Sequence, residues 1–358
     1  MLSKGARWDR VLFIAAGILC LIGLVALRSA SATLNPLLFG QQIRWIAIGM
    51  LASLMTASLL YTRWIDAGPF LYISVLLLLV IVQVAGTVKL GAARWLTVWG
   101  LSVQPSELAK LATACCLARY LATQPVPLPT RSLLVSAGVV GVPALLIFLQ
   151  PDFGTSSVLG VMWLGTVWVA GLSRRHLVFM AVAGLGVLPV GWHLLKEYQR
   201  LRLVVFLNPH ADPLGAGYTI IQSKIAIGSG QLFGRGWMAG TQNQLNFLPE
   251  RHADFLFSVI GEEWGFLGAV TVVILFGCVL GRAIHIALGT VEPQGRFLAM
   301  AVVSWLAYQA VINVGMVMGL LPVVGVPLPL ISYGGSAMVA TWIALGLLQG
   351  IHRFGTRF

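Results

Sequence analysis

Ten apolar runs follow one another along this chain, at 11–27, 45–60, 70–84, 106–121, 133–149, 158–169, 177–195, 266–280, 297–321 and 337–348. Of the 358 residues, 58% are hydrophobic and only 9% are charged, where a soluble domain carries about a quarter. Apolar runs repeated from end to end belong in a bilayer. Lipid offers no partner to backbone N–H and C=O groups, so each run is predicted to be a helix. Several are shorter than the ~20 residues a full crossing needs, so their ends reach into the flanking sequence. The expected fold is all-α and polytopic: a single membrane domain over 1–358 with about ten transmembrane helices.

Basic residues predict the orientation. With the N-terminus cytoplasmic, twelve fall on the cytoplasmic side: Lys4, Arg7, Arg10, Arg63, Arg119, Arg131, Arg174, Arg175, Arg282, Arg296, Arg353 and Arg357. The short loops opposite hold four, Arg28, Arg44, Lys89 and Arg94. The positive-inside rule then puts both termini in the cytoplasm. The net charge of +12 has the same origin. No basic run or recognition motif stands apart from a membrane segment, so no nucleic-acid partner is expected. Ala30-Ser31-Ala32 has the form of a signal-peptide cleavage site, but the apolar run before it is long for such a peptide and Arg28 interrupts the approach, which favours a retained first helix. Cys20, Cys115, Cys116 and Cys278 all lie in apolar runs without metal-ligand spacing and are expected to pack as small apolar residues.

The segment 196–254 breaks the pattern. It is predicted to be a large extracytoplasmic loop between the seventh and eighth helices, with six basic and four acidic residues. Loops of this length are usually functional or disordered, and this one has signals of internal order. Asp212-Pro213-Leu214-Gly215 is turn chemistry. After it, residues 218–227 read as a short helix with Ile220, Ile221 and Ile225 on one face and Gln222, Ser223 and Lys224 opposite. Such a helix either lies at the membrane interface or is a buried half-helix.

Four constellations carry chemistry. In Gln104-Pro105-Ser106-Glu107-Leu108-Ala109-Lys110, the carboxylate and the ammonium are three residues apart on one helix face. Charges within a membrane helix cost roughly 2.5–3.5 kcal/mol each, so the pair either faces a cavity or closes a salt bridge near the interface. In Gln150-Pro151-Asp152, the aspartate is either a ligand or base, or the cap of the next helix. Glu250, Arg251, His252 and Asp254 fall within five residues directly before apolar sequence; they form either a proton-abstraction site or a solvated loop end. Pro327, Pro329, Ser332, Gly334 and Gly335 interrupt an apolar stretch; they form either an ordinary tight loop or irregular backbone at membrane depth, which lines a cavity or is buried in protein. Under the predicted topology all four open to the outside. No metal-binding signature is present, although Asp152, Glu107 or Glu250 could help hold a divalent cation (Mg or Mn).

These residues resemble the SEDS (FtsW/RodA/SpoVE) family of bacterial cell-wall proteins. The similarity runs through QPSELAK, QPDFGT, NPHADPLGAGYTIIQSKIAIGSG, FLPERHADFLFSVIGEEWG and PLPLISYGGS, and so covers nearly the whole chain. The run 240–250 looks like the elongation member more than the division member. The resemblance implies an inverting peptidoglycan glycosyltransferase. It would extend glycan strands from lipid II (undecaprenyl-diphosphate disaccharide-pentapeptide) during cell elongation, beside a class B penicillin-binding protein, and so maintain cell shape. It matches the family's catalytic carboxylate to Asp254 and its helix-four pair to Glu107 and Lys110. Ala253 stands where relatives often have threonine; Glu250 and Asp254 stand as expected. Candidates for the diphosphate are Arg202, Lys224, Arg251 and Lys110, with Asp152, Glu250, His252 and Ser332 around the same site. Two alternatives are a lipid II flippase, which needs a polar path with charges in both halves of the membrane, and a non-catalytic scaffold for a transpeptidase.

Overall fold

A computed structural model of the chain describes residues 8–32, 35–89, 92–98, 101–194, 197–215 and 217–355. Its helices are α1 (Arg10–Ser31), α2 (Leu37–Ser58), α3 (Tyr61–Asp66), α4 (Gly68–Ala85), α5 (Pro105–Leu121), α6 (Thr130–Leu149), α7 (Phe153–Val169), α8 (Arg174–Leu194), α9 (Glu197–Leu207), α10 (Tyr218–Ser229), α11 (Thr241–Gln244), α12 (Leu256–Gly289), α13 (Pro293–Val317) and α14 (Gly335–Gly355). Each of the ten apolar runs overlaps one of these helices, with 45–60 and 297–321 running past the ends of α2 and α13. Among the described residues, α1, α2, α6, α12, α13 and α14 are long and apolar enough to cross a membrane, and α4 and α7 are shorter apolar helices. Large apolar side chains stay exposed around the outside, among them Leu21, Leu51, Phe70 and Ile274, as a lipid-facing wall requires.

The all-α expectation needs one correction. Between α4 and α5 the chain forms a small antiparallel meander, β1 (Thr87–Lys89), β2 (Ala92–Val98) and β3 (Leu101–Val103). Thr87 pairs with Trp95, and Leu96 with Val103. β-Branched and aromatic residues at 87–88, 95, 97–98 and 103 favour strands, but β1 and β3 are only three residues long and carry too little period to be read in advance.

α5 is the least apolar of the long helices and also the most central. It packs against α3, α4, α6, α7, α13 and α14. α2 lies along α14, α1 along α12, and α7 along α13. The α2–α14 contact is close because small residues let the backbones meet: a Cβ on Gly346 would lie 2.5 Å from the Ser53 carbonyl oxygen.

The segment 196–254 holds α9, α10 and α11. The predicted faces of α10 are corrected. Its buried stripe is Ile220, Ser223 and Ala226, and Ile225 is exposed. At 100° per residue these three share an arc that Ile225 does not. The Ser223 hydroxyl faces inward because it has partners there, Ser258 Oγ at 2.8 Å and the Val317 carbonyl at 2.5 Å.

The ends of the chain meet on one face of the bundle. Arg353 lies over the Trp8 ring, 4.7 Å from its centroid, and Arg282 pairs with Asp9 at 2.7 Å. Glu292 accepts from Tyr61 on this face, and Asp66 pairs with Arg119.

Candidate active site

The opposite face gathers the predicted constellations. α5 starts at Pro105, where a missing N–H costs nothing. This places Glu107 and Lys110 one turn in, their charged atoms 2.7 Å apart. Both are buried, Lys110 completely, and its Nζ sits 4.4 Å from the centroid of the Trp305 ring on α13. The pair is thus within the protein, with an aromatic face adding to its support.

Asp152 does what a capping residue does. Its Oδ1 accepts from the Thr155 N–H at 3.0 Å, starting α7, and its Oδ2 accepts from Gln104 Nε2 at 3.2 Å. The carboxylate therefore ties the α6–α7 turn to the start of α5. Arg94 on β2 donates to the carbonyls of Gln150 and Pro151 and holds the same turn from the other side.

Asp254 ends the α11–α12 connection. Its backbone carbonyl accepts from Asn313 Nδ2 at 2.9 Å, and the same amide donates to the Val326 carbonyl at 2.7 Å. Its carboxylate borders Gly325, whose missing side chain leaves the space open: a Cβ there would stand 3.5 Å from Oδ2. Val326 in turn packs on Gly154, two residues beyond Asp152. Asp254, the Asp152 turn and the α13–α14 connection thus form one continuous contact. Lys224 reaches this connection from α10, its side chain lying across Gly319.

The remaining predicted residues divide. His252 stacks near Tyr333, 5.9 Å between ring centroids, and its carbonyl accepts from the Tyr333 N–H. Its Nε2 lies 3.7 Å from Glu250. Burial lowers the His252 pKa; Glu250 opposes this and Arg251 adds to it. Glu250 has a φ of 48°, in the left-handed region that is uncommon outside glycine. Arg251 is completely buried and donates to the carbonyls of Ala30 and Asn243; this guanidinium fastens the loop to α1. The Ser332 hydroxyl accepts from the Leu328 N–H, and its carbonyl accepts from Gln42, so it shapes its own turn. Arg202 lies on α9, but its side chain is outside the described residues.

Three supporting groups were missed by sequence reasoning. Asn313 reads as one polar residue in an apolar helix, and only that interruption signals it. Glu262 and Glu263 read as charges within α12, yet both are buried. Glu262 accepts from the Gln242 and Asn243 N–H groups, and Glu263 accepts from Ser29 and Asn243. Together they hold α11 between α1 and α12. Among the described residues no group of three or more His, Cys, Asp or Glu side chains could hold a metal ion. Asp152 is engaged as a cap, Glu107 by Lys110, and Glu250 lies beside His252.

A multi-pass helical bundle with an acid–base cluster at one end and a buried ion pair beneath it is an integral-membrane protein built around a polar site. The chain belongs to the FtsW/RodA/SpoVE family, described as cell cycle proteins, whose family model matches residues 9–357. It is 39% identical to peptidoglycan glycosyltransferase MrdB of Escherichia coli K12, over 98% of this chain and 96% of that one. It is 36% identical to stage V sporulation protein E of Bacillus subtilis, over 99% of both. Among solved structures it is similar to a chain of a peptidoglycan synthase complex described as coordinating polymerization and crosslinking, with a TM-score of 0.84, 35% identity and coverage of 97% and 98%. It is also similar to the rod shape determining protein RodA of Thermus thermophilus, with a TM-score of 0.73, 30% identity and coverage of 97% of both.

Proposed function

We propose that this chain is an inverting peptidoglycan glycosyltransferase that polymerises lipid II at the outer face of the inner membrane during elongation. The relatives carry the reaction class. The single observation that supports Asp254 as its base is the placement of that carboxylate beside Gly325, where the α11–α12 connection, the Asp152 turn and the α13–α14 connection meet.

The donor is an α-linked glycosyl diphosphate and the product is β-linked, so one inversion and one general base suffice. Asp254 takes the proton from the acceptor sugar hydroxyl as that oxygen bonds to the donor anomeric carbon. The bond to the diphosphate breaks, and undecaprenyl diphosphate leaves with the electron pair. Charge builds on the leaving group, so a cation must stand near it. Lys224 suits this role: it is exposed on α10 and, like Asp254, its side chain borders the α13–α14 connection. Arg202 is a second candidate. Arg251 is better suited to positioning, because its partners are backbone carbonyls.

In this reading the site face is extracytoplasmic, both termini are cytoplasmic, and ten helices cross the membrane within one domain. The chain acts with a class B transpeptidase that crosslinks the strand it makes. The test is lipid II polymerisation by the purified protein, with and without the transpeptidase and EDTA, comparing wild type with Asp254→Ala. Glycan chains from wild type and none from the variant are expected. Full activity in a folded Asp254→Ala variant would remove the base assignment; wild type inert even with its partner would favour the scaffold reading.

A further inference from the structure

The face that carries the chain ends holds a cleft that the proposed chemistry does not use. It lies between the starts of α6 and α8, has a volume of ≈ 850 Å³, and is lined by Leu128, Leu133, Leu134 and Phe179 together with Arg174 and Arg175. α8 stands away from the bundle: none of its described side chains is buried, and it packs extensively against no other element among the described residues. The cleft persists because its polar end is pinned. His176 bridges the Thr130 hydroxyl at 2.9 Å and the Ser173 hydroxyl at 3.0 Å, and the Leu128 N–H donates to the Gly171 carbonyl at 3.0 Å.

The two ends of the cleft differ in chemistry. Leu133 on the wall is buried, and Leu134 and Phe179 continue that apolar surface outward, exposed at 63% and 64%. Arg174 and Arg175 stand exposed at the rim, and Arg131, on the first turn of α6, is exposed as well. Both helices begin here, so their positive dipole ends add to the arginines. No aspartate or glutamate occurs in 108–151 or 153–196. The one acidic residue between, Asp152, is at the far end of α7, about 25 Å away along a 17-residue helix. An apolar slot, with arginines at its mouth that form no ion pair among the described residues, fits an amphiphile with an anionic head.

We propose that the α6–α8 cleft binds an anionic phospholipid, its headgroup held by Arg174 and Arg175 and an acyl chain laid along Leu134 and Phe179. The lipid occupies the space that keeps α8 apart from α6. This inference does not depend on the glycosyltransferase reading.

Native mass spectrometry of the full chain in detergent, with phosphatidylglycerol and phosphatidylcholine at equal concentration, tests it. Wild type is expected to retain phosphatidylglycerol over phosphatidylcholine by roughly thirtyfold, the worth of two arginines near an anionic headgroup. Arg174→Gln/Arg175→Gln should bring the ratio near one, whereas Arg10→Gln/Arg63→Gln, on the same face but outside the cleft, should leave it unchanged. Leu134→Trp fills the slot with both arginines in place and should also lose the adduct; it decides the matter if the double arginine variant does not fold. Equal retention of the two lipids by wild type, or an undiminished adduct in the cleft variants, overturns the proposal. So does displacement of phosphatidylglycerol by equimolar undecaprenyl phosphate, which would mark a prenyl-phosphate site instead.

Discussion

Asp254 and the Glu107–Lys110 pair pose different questions at the scale of single residues. Asp254→Asn keeps the shape and removes the proposed base. It is expected to lower lipid II polymerisation by about 10²–10⁴-fold, the usual worth of general base catalysis, with an unchanged melting temperature in detergent. Lys110→Met strands a buried carboxylate; the cost of leaving one partner of such a pair is roughly 3–5 kcal/mol. A thermal shift assay should show a large loss of stability, partly recovered in Glu107→Gln/Lys110→Met, where no charge is left unpaired. No recovery in the double variant would mean the pair is not a closed unit. His252 adds a pH term. Burial holds its folded-state pKa below the ordinary value, so the unfolded chain binds the proton more readily and stability falls as pH drops below about 6.5. His252→Gln should flatten that acid-side loss in a melting curve measured from pH 7.5 to 5. The roles of these residues were only half legible in sequence. Asp152 left two readings open, and geometry gave the cap. Arg251 and Asp254 sit three apart in one motif, yet one turns into the protein and the other borders Gly325, because the turn that separates them is set by α1, α11 and α13.

At the scale of elements, the break in α12 is the clearest device. Gly265 has φ 67° and ψ −161°, a region that glycine alone occupies at low cost. A Cβ there would stand 2.3 Å from the Gly234 nitrogen, so the break also admits the 231–236 turn. Gly265→Ala is expected to destabilise by about 1–3 kcal/mol and to raise hydrogen exchange in 231–244, where Glu262 and Glu263 hold α11. Unchanged exchange there would disconnect the break from the loop. The apolar runs predicted this helix only from 266 onward. Its first nine residues, 256–264, contain two glutamates and read as a boundary. Those glutamates are buried because α11 supplies the backbone N–H and side-chain donors they need, and such donors are visible only once the elements are placed. The faces of α10 were misread for a related reason: Ser223 looks like a surface residue until Ser258 and the Val317 carbonyl are set beside it.

At the scale of the whole molecule, the prediction concerns orientation. With the four native cysteines replaced by alanine, Leu214→Cys lies on the site-face segment and is highly exposed. A membrane-impermeant maleimide should label it in intact spheroplasts. Phe354→Cys, near the Asp9–Arg282 face, should be labelled only after permeabilisation. The reverse pattern would invert the topology.

The sequence by itself determined that this chain is a largely helical membrane protein and which family it resembles. Composition and spacing suffice for that, because lipid forces every apolar run to satisfy its own backbone bonds. Only the tertiary structure decided which polar residues face one another. It closed Glu107 onto Lys110 beneath Trp305, turned Arg251 inward, placed Asn313 behind Asp254, and left α8 apart from its neighbours. A buried polar group is positioned by whichever partner completes its hydrogen bonds. In this protein most of those partners come from segments far away along the chain.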